Sequence, residues 1–120
     1  VEWNIGEAAG ALAAWSLEKS LSPERIWRNR AETERFQRSL LEEGVPLAWV
    51  VDVPLDHPSF AAVQTLAVAG RPIAPDSLEL VPDAALSTEE WQAWGGDGEP
   101  PRTRGAAAQL LLERRDRAVA

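Results

Sequence analysis

Asn4-Ile5-Gly6-Glu7-Ala8-Ala9-Gly10-Ala11-Leu12-Ala13-Ala14 sets small residues at helical spacing close to the start of the chain. Positions three and four apart share a helix face, so Gly6, Ala9, Gly10 and Ala13 form one stripe. Each glycine costs about 1 kcal/mol against alanine in a helix interior, so helix stability alone does not explain them. Glycine admits a backbone or a flat ligand to close range. A helix that opens on glycines also offers free N–H groups and the positive end of its dipole to an electron-rich group. Tight helix–helix packing is the plainer reading of the same stripe.

The spacing predicts a helix over residues 5–20, with Ile5, Ala8, Leu12 and Trp15 on one face and Ala9, Ala13 and Leu17 widening it. A stripe this wide expects cover on more than one side. Ser22-Pro23-Glu24-Arg25 is a helix start, with serine as N-cap, proline at the first position and an acid in the first turn. That helix is expected to run to Glu43 and stop at Gly44 and Pro46, with a break at Asn29. Its inward residues would be Ile26, Thr33, Phe36 and Leu40, with Trp27 and Leu41 beside that face. Residues 45–53 are the one strand-like run, too proline-bounded for a central strand, and are expected to form an extended linker that buries Trp49. Asp56-His57-Pro58 opens a helix over 58–69 with Phe60, Val63, Leu66 and Ala67 inward and Gly70 as stop. Residues 71–86, with Pro72, Pro75 and Pro82, read as loop, in which Leu78 and Leu80 alternate. Ser87-Thr88-Glu89-Glu90 caps a short helix holding Trp91 and Trp94. Residues 95–101 form a connector, 102–117 a last helix, and 118–120 a frayed end. The fold expected is all-α, a small array of about five helices with long loops, built from helix–loop–helix units without a substantial sheet.

Composition narrows the function. The 120 residues, 45% of them apolar, suit one small domain or a piece of a larger one. No apolar run approaches the ~20 residues of a membrane span, and no basic-then-apolar signal peptide opens the chain. Absence of cysteine excludes disulfides, thiolate chemistry and cysteine-based metal sites, and leaves localisation unknown. The net charge of −7 is uneven: residues 45–100 hold nine acids and one base, Arg71, whereas 101–120 hold five arginines and two acids. The acidic middle argues against nucleic acid. No methionine is present, and an opening on Val1-Glu2-Trp3 directly before the glycine helix is expected to continue from a longer polypeptide.

Individual residues offer little catalysis. His57, the one histidine, lacks a neighbouring nucleophile or orienting partner in sequence, and is expected to cap a helix or lie on the surface. Glu89 and Glu90 are adjacent and so point to different sides of a helix, which suits dipole stabilisation rather than an acid–base dyad. The six tryptophans at 3, 15, 27, 49, 91 and 94 sit mostly on apolar faces. Trp91 and Trp94, beside an acidic glycine-rich loop, are the best candidates for an exposed pair.

Residues 3–17, Trp3-Asn4-Ile5-Gly6-Glu7-Ala8-Ala9-Gly10-Ala11-Leu12-Ala13-Ala14-Trp15-Ser16-Leu17, resemble the last cofactor-contacting segment of FAD-dependent oxidoreductases of the fumarate-reductase-like, two-dinucleotide-fold type. In that family a G-[EQ]-A-A-G-x-A-A helix near the end of the FAD domain points its N-terminus at the flavin. Gly6, Glu7, Ala8, Ala9 and Gly10 match it position by position, and Leu12 stands where the family often has a small residue. The resemblance implies that Asn4, Ile5, Gly6, Glu7, Ala8, Ala9 and Gly10 contact FAD in the full-length protein. It makes residues 1–21 the terminal helix of an upstream FAD-binding domain and 22–120 a helical C-terminal domain. That upstream domain would be the partner of the helix. The chain has no phosphate-binding G-x-G-x-x-G of its own, so this piece is expected neither to hold FAD alone nor to catalyse, and no catalytic or metal residue is assigned.

A second resemblance lies further along. Asp52-Val53-Pro54, then Phe60-Ala61-Ala62-Val63-Gln64-Thr65-Leu66-Ala67-Val68-Ala69-Gly70, then Pro82 before Leu86-Ser87-Thr88-Glu89-Glu90, is similar in rhythm to the helix–loop–helix modules of S-layer homology domains. Thr103-Arg104 before Ala106 resembles their T-R-A-E start. Leu86-Ser87-Thr88 lacks the arginine of the family, and Ala106 replaces its glutamate. These are the charged residues that serve wall-polymer binding there, so the likeness implies the architecture of one degenerate module and leaves polymer binding without its residues. A non-enzymatic helical binding module, docking a polymer or protein partner, is the alternative function.

Overall fold

The computed structural model describes residues 2–74 and 76–119, without the side chain of residue 119. Val1, Pro75 of the expected loop and Ala120 of the expected frayed end lie outside the described residues. Among the described residues there are six helices and no strand: α1 (Glu2–Lys19), α2 (Pro23–Arg28), α3 (Arg30–Glu42), α4 (Phe60–Val68), α5 (Thr88–Ala93) and α6 (Arg104–Val119). The all-α expectation holds. The chain divides into two compact units, residues 1–47 and 48–120.

In the first unit, α1 packs on α2 and α3. Asn29 separates those two helices by serving both: its backbone N–H closes α2 on the carbonyls of Arg25 and Ile26, and its side chain accepts from Glu32 N at the start of α3. Ser22 caps α2 through Arg25 N, with Pro23 at the first helical position, where a missing N–H costs nothing. Ile26, Leu40, Leu41 and Val45 are buried. The Thr33 hydroxyl donates to the Ile26 carbonyl at 2.8 Å, and Trp15 of α1 meets Phe36 of α3 at 6.0 Å between ring centres. Salt bridges Glu24–Arg28, Arg30–Glu34 and Glu32–Arg35 run along the exposed faces.

In the second unit, α4 packs against α6. Phe60, Val63 and Leu66 point inward as their spacing predicts, with Ala62 and Gln64 also buried. Gln64 replaces a strand partner: its side-chain oxygen accepts from Ala48 N and its amide donates to Ala48 O. A buried amide with both ends satisfied fixes the entering chain without an orphaned polar group. Gly70 takes φ of +86°, closing α4 through Gly70 N to Ala67 O and Arg71 N to Leu66 O. The described residues between α4 and α5 form no helix or strand, yet Ile73, Leu80 and Leu86 among them are buried. Asp52 secures it, its two carboxylate oxygens accepting from Leu80 N at 2.8 Å and Val81 N at 2.7 Å. Ser87 and Glu90 form the predicted capping box at α5.

Two tryptophan expectations are overturned. Trp49 is 71% exposed, not buried. Residues 45–53 do run without helix or strand, but it is Val45 and Val53 that enter the cores. Trp91 and Trp94 are not an exposed pair. They are 0% and 1% exposed and form the centre of the second unit.

Candidate functional site

The residues assigned to a cofactor, Asn4, Ile5, Gly6, Glu7, Ala8, Ala9 and Gly10, all lie on α1, and no residue of that helix is fully buried. Ala8, Ala11, Leu12, Trp15 and Ser16 are half-buried and form the side toward α2 and α3. At 100° per residue the opposite side carries Trp3, Gly6, Gly10, Ala13 and Leu17, spaced three, four, three and four apart. Trp3 and Leu17 are each 83% exposed, and all three small residues between them are exposed as well. A Cβ added at Gly6 or Gly10 would meet nothing within 4 Å. Internal packing therefore does not account for either glycine. Ala9, Ala13 and Leu17, expected to widen a covered face, stand open.

The helix starts earlier than its spacing predicts, at Glu2. The amide of Gly6 and those after it consequently fall inside the i to i−4 ladder, and the unladdered N–H groups belong to the turn before Gly6. What Gly6 and Gly10 offer is close approach, not free donors. Glu2, Trp3, Gly6 and Glu7 line a shallow, open concavity. Two carboxylates there disfavour an anionic phosphate.

The second unit holds a charged cluster around its two tryptophans. Trp91 donates from Nε1 to the Asp97 carbonyl at 3.0 Å, and Gly96 lies directly against its ring. Arg104 pairs with Glu90 at 2.8 Å, with its guanidinium carbon 5.4 Å from the Trp94 ring centre. Arg114 pairs with Asp97 at 2.6 Å and lies 5.7 Å from the Trp91 ring centre. Hydrogen bonding from Arg104, then from the Ser87 backbone, holds the Glu90 carboxyl below its ordinary range. These contacts engage Trp91 Nε1 and one guanidinium nitrogen of each arginine with the protein itself, Arg104 Nε being buried without a partner, and with both rings buried the cluster presents no open aromatic platform. Glu90 is thereby committed to Ser87 and Arg104, while Glu89 is exposed.

His57 does not cap α4, whose N-cap Ser59 makes no side-chain cap bond; its Nδ1 accepts from Ser59 N at 3.0 Å in the turn just before the helix. Among the described residues no three His, Cys, Asp or Glu side chains converge on a cation site. No described helix is long and apolar enough to cross a membrane. A further surface was not foreseen from sequence: Trp49, Val51, Leu78 and Val81 are exposed in the second unit, with Leu78 and Val81 at positive φ. Comparison with protein-family models, curated proteins and solved structures finds no match.

Proposed function

We propose that this chain is the C-terminal part of an FAD-dependent oxidoreductase, in which α1 completes the flavin pocket of an upstream FAD-binding domain and the remaining helices form an accessory domain. The observation that supports it is the open stripe of α1, with Gly6 and Gly10 bare between exposed Trp3 and Leu17. In this reading Gly6 and Gly10 lie against the isoalloxazine ring and admit it to backbone distance, whereas Ala8, on the side toward α2 and α3, does not reach it. The unladdered N–H groups of the first turn add dipole stabilisation to its electron-rich edge. The flavin supplies the redox chemistry; the chain contributes orientation and electrostatics. Glu2 and Glu7 direct the contact to the ring rather than the pyrophosphate.

The test is the intact mass and absorbance of the natural protein from its source cells, followed by Gly6→Leu in that protein. A polypeptide several times heavier than 13.1 kDa with flavin absorbance, losing FAD on Gly6→Leu, is expected. A product of this chain's own mass without flavin overturns the reading. The alternative, a non-enzymatic helical binding module, loses Trp91 and Trp94 as its docking pair because both are buried.

A further inference from the structure

A different surface, within residues 48–120 and independent of the flavin reading, exposes apolar side chains on a fixed backbone. Val51 N donates to Leu78 O at 2.9 Å, and Asp52 grips the amides of Leu80 and Val81. These bonds hold Val51, Leu78 and Val81 beside one another, with Trp49 two residues away along the chain. Their exposures are 58, 42, 51 and 71%. The intervening Leu80 is fully buried, so the segment is anchored and its neighbours are presented by fixed backbone rather than by fraying. Leu78 and Val81 sit at φ of +61° and +54°, a region that side chains of their size rarely occupy. Unforced packing would not place two aliphatic side chains in solvent at that conformational cost.

The surroundings specify the chemistry of what covers them. Asp76, Glu79 and Asp83 are exposed within two residues of Leu78 or Val81, Asp56 is exposed five residues beyond Val51, and none of the four makes an ion pair among the described residues. Glu90 and Asp97, by contrast, are paired with Arg104 and Arg114. Arg71 is the one base in residues 45–100. An apolar centre with an unneutralised acidic rim is complementary to a ligand that brings both apolar anchors and positive charge.

We infer that Trp49, Val51, Leu78 and Val81 form a docking surface for a basic polypeptide segment of another protein, whose aliphatic or aromatic side chains seat on the apolar centre while its arginines or lysines meet Asp56, Asp76, Glu79 and Asp83. The acidic rim opposes an anionic membrane or a nucleic acid at the same place.

Selection of a random dodecapeptide library against the full chain tests this, with amide shift mapping of one enriched peptide by NMR. The expected sequences carry Leu, Ile, Phe or Trp flanked by Arg or Lys. The expected shifts fall on residues 49–56 and 76–83. Val51→Ser and Leu78→Asn together are expected to weaken binding at least tenfold, because both positions are exposed and asparagine tolerates positive φ. Glu79→Lys with Asp83→Lys should do the same, and added salt should weaken the wild-type complex. Enriched peptides that are acidic or uncharged, or that bind the double variants unchanged, would overturn the inference. So would a concentration-dependent dimer in sedimentation that Leu78→Asn abolishes, which would make a second copy of this chain the occupant.

Discussion

Gly96→Ala isolates what Trp91 does. A Cβ at Gly96 would stand 2.1 Å from Trp91 Cε2, 2.2 Å from Cδ2 and 2.5 Å from Cζ2, where ordinary contact begins at 3.4 Å. The ring must retreat by more than an ångström. It has no room, being 0% exposed, and its Nε1–H is held by the Asp97 carbonyl at 3.0 Å. Overpacking a core costs about 1–3 kcal/mol, and a disrupted hydrogen bond adds about 1 kcal/mol. We expect a loss of about 2–4 kcal/mol, or a fall in Tm of roughly 8–32 °C at ~4–8 °C per kcal/mol for a unit of this size. Gly96 has an ordinary backbone φ, so the penalty is steric and not conformational. Urea melts followed by far-UV circular dichroism measure it. A double-mutant cycle identifies the cause: in a Trp91→Leu background, already destabilised by about 3 kcal/mol, Gly96→Ala should cost less than about 1 kcal/mol. A penalty within about 0.5 kcal/mol of zero, or an equal penalty in both backgrounds, refutes the reasoning and returns Trp91 to the list of available surfaces.

Two further outcomes follow from charge and from the open helix. The Glu90 carboxyl is held below its ordinary value of 4.5 in the fold, so its contribution to stability is present above that value and is lost as pH falls through the lower folded one. Urea midpoints measured downward from about pH 6 should therefore fall more steeply in the wild type than in Glu90→Gln. Gly6→Ala and Gly10→Ala should each stabilise this chain by up to about 1 kcal/mol, since alanine is the better helix former and its Cβ meets nothing. Thermal melts give the sign, and a destabilisation at either site would show that the stripe is already packed.

Local signals in the sequence carried the fold where a side chain bonds its own neighbourhood. Ser22 with Pro23, Asn29, and Ser87 with Glu90 each mark a helix boundary through contacts within a few residues, and the structure uses all of them. The tryptophans were misread because their burial depends on partners elsewhere. Residues 95–98 suggest an open flexible loop, whereas Gly96 is there to let the Trp91 ring approach. Trp49 lies in an apolar run, but Gln64 and Asp52 fix the flanking backbone so that Val53 goes inward and Trp49 outward. Periodicity does not reveal such long-range bonds. For α1 the glycine spacing was legible and its openness was not, because exposure depends on which side α2 and α3 occupy.

The grip of Asp52 on Leu80 and Val81 has a kinetic meaning. It joins residues 28 and 29 positions apart and encloses all of α4. Closing such a loop costs on the order of 3 kcal/mol in chain entropy, so the clasp can form only once α4 and its surroundings are organised. Its loss, by Asp52→Ala, is therefore expected to appear chiefly as faster unfolding in a denaturant-jump measurement, with little change in the folding rate. The amides of Leu80 and Val81, outside any helix or strand, owe their protection from hydrogen exchange to this one side chain, so Asp52→Asn is expected to speed the exchange of both.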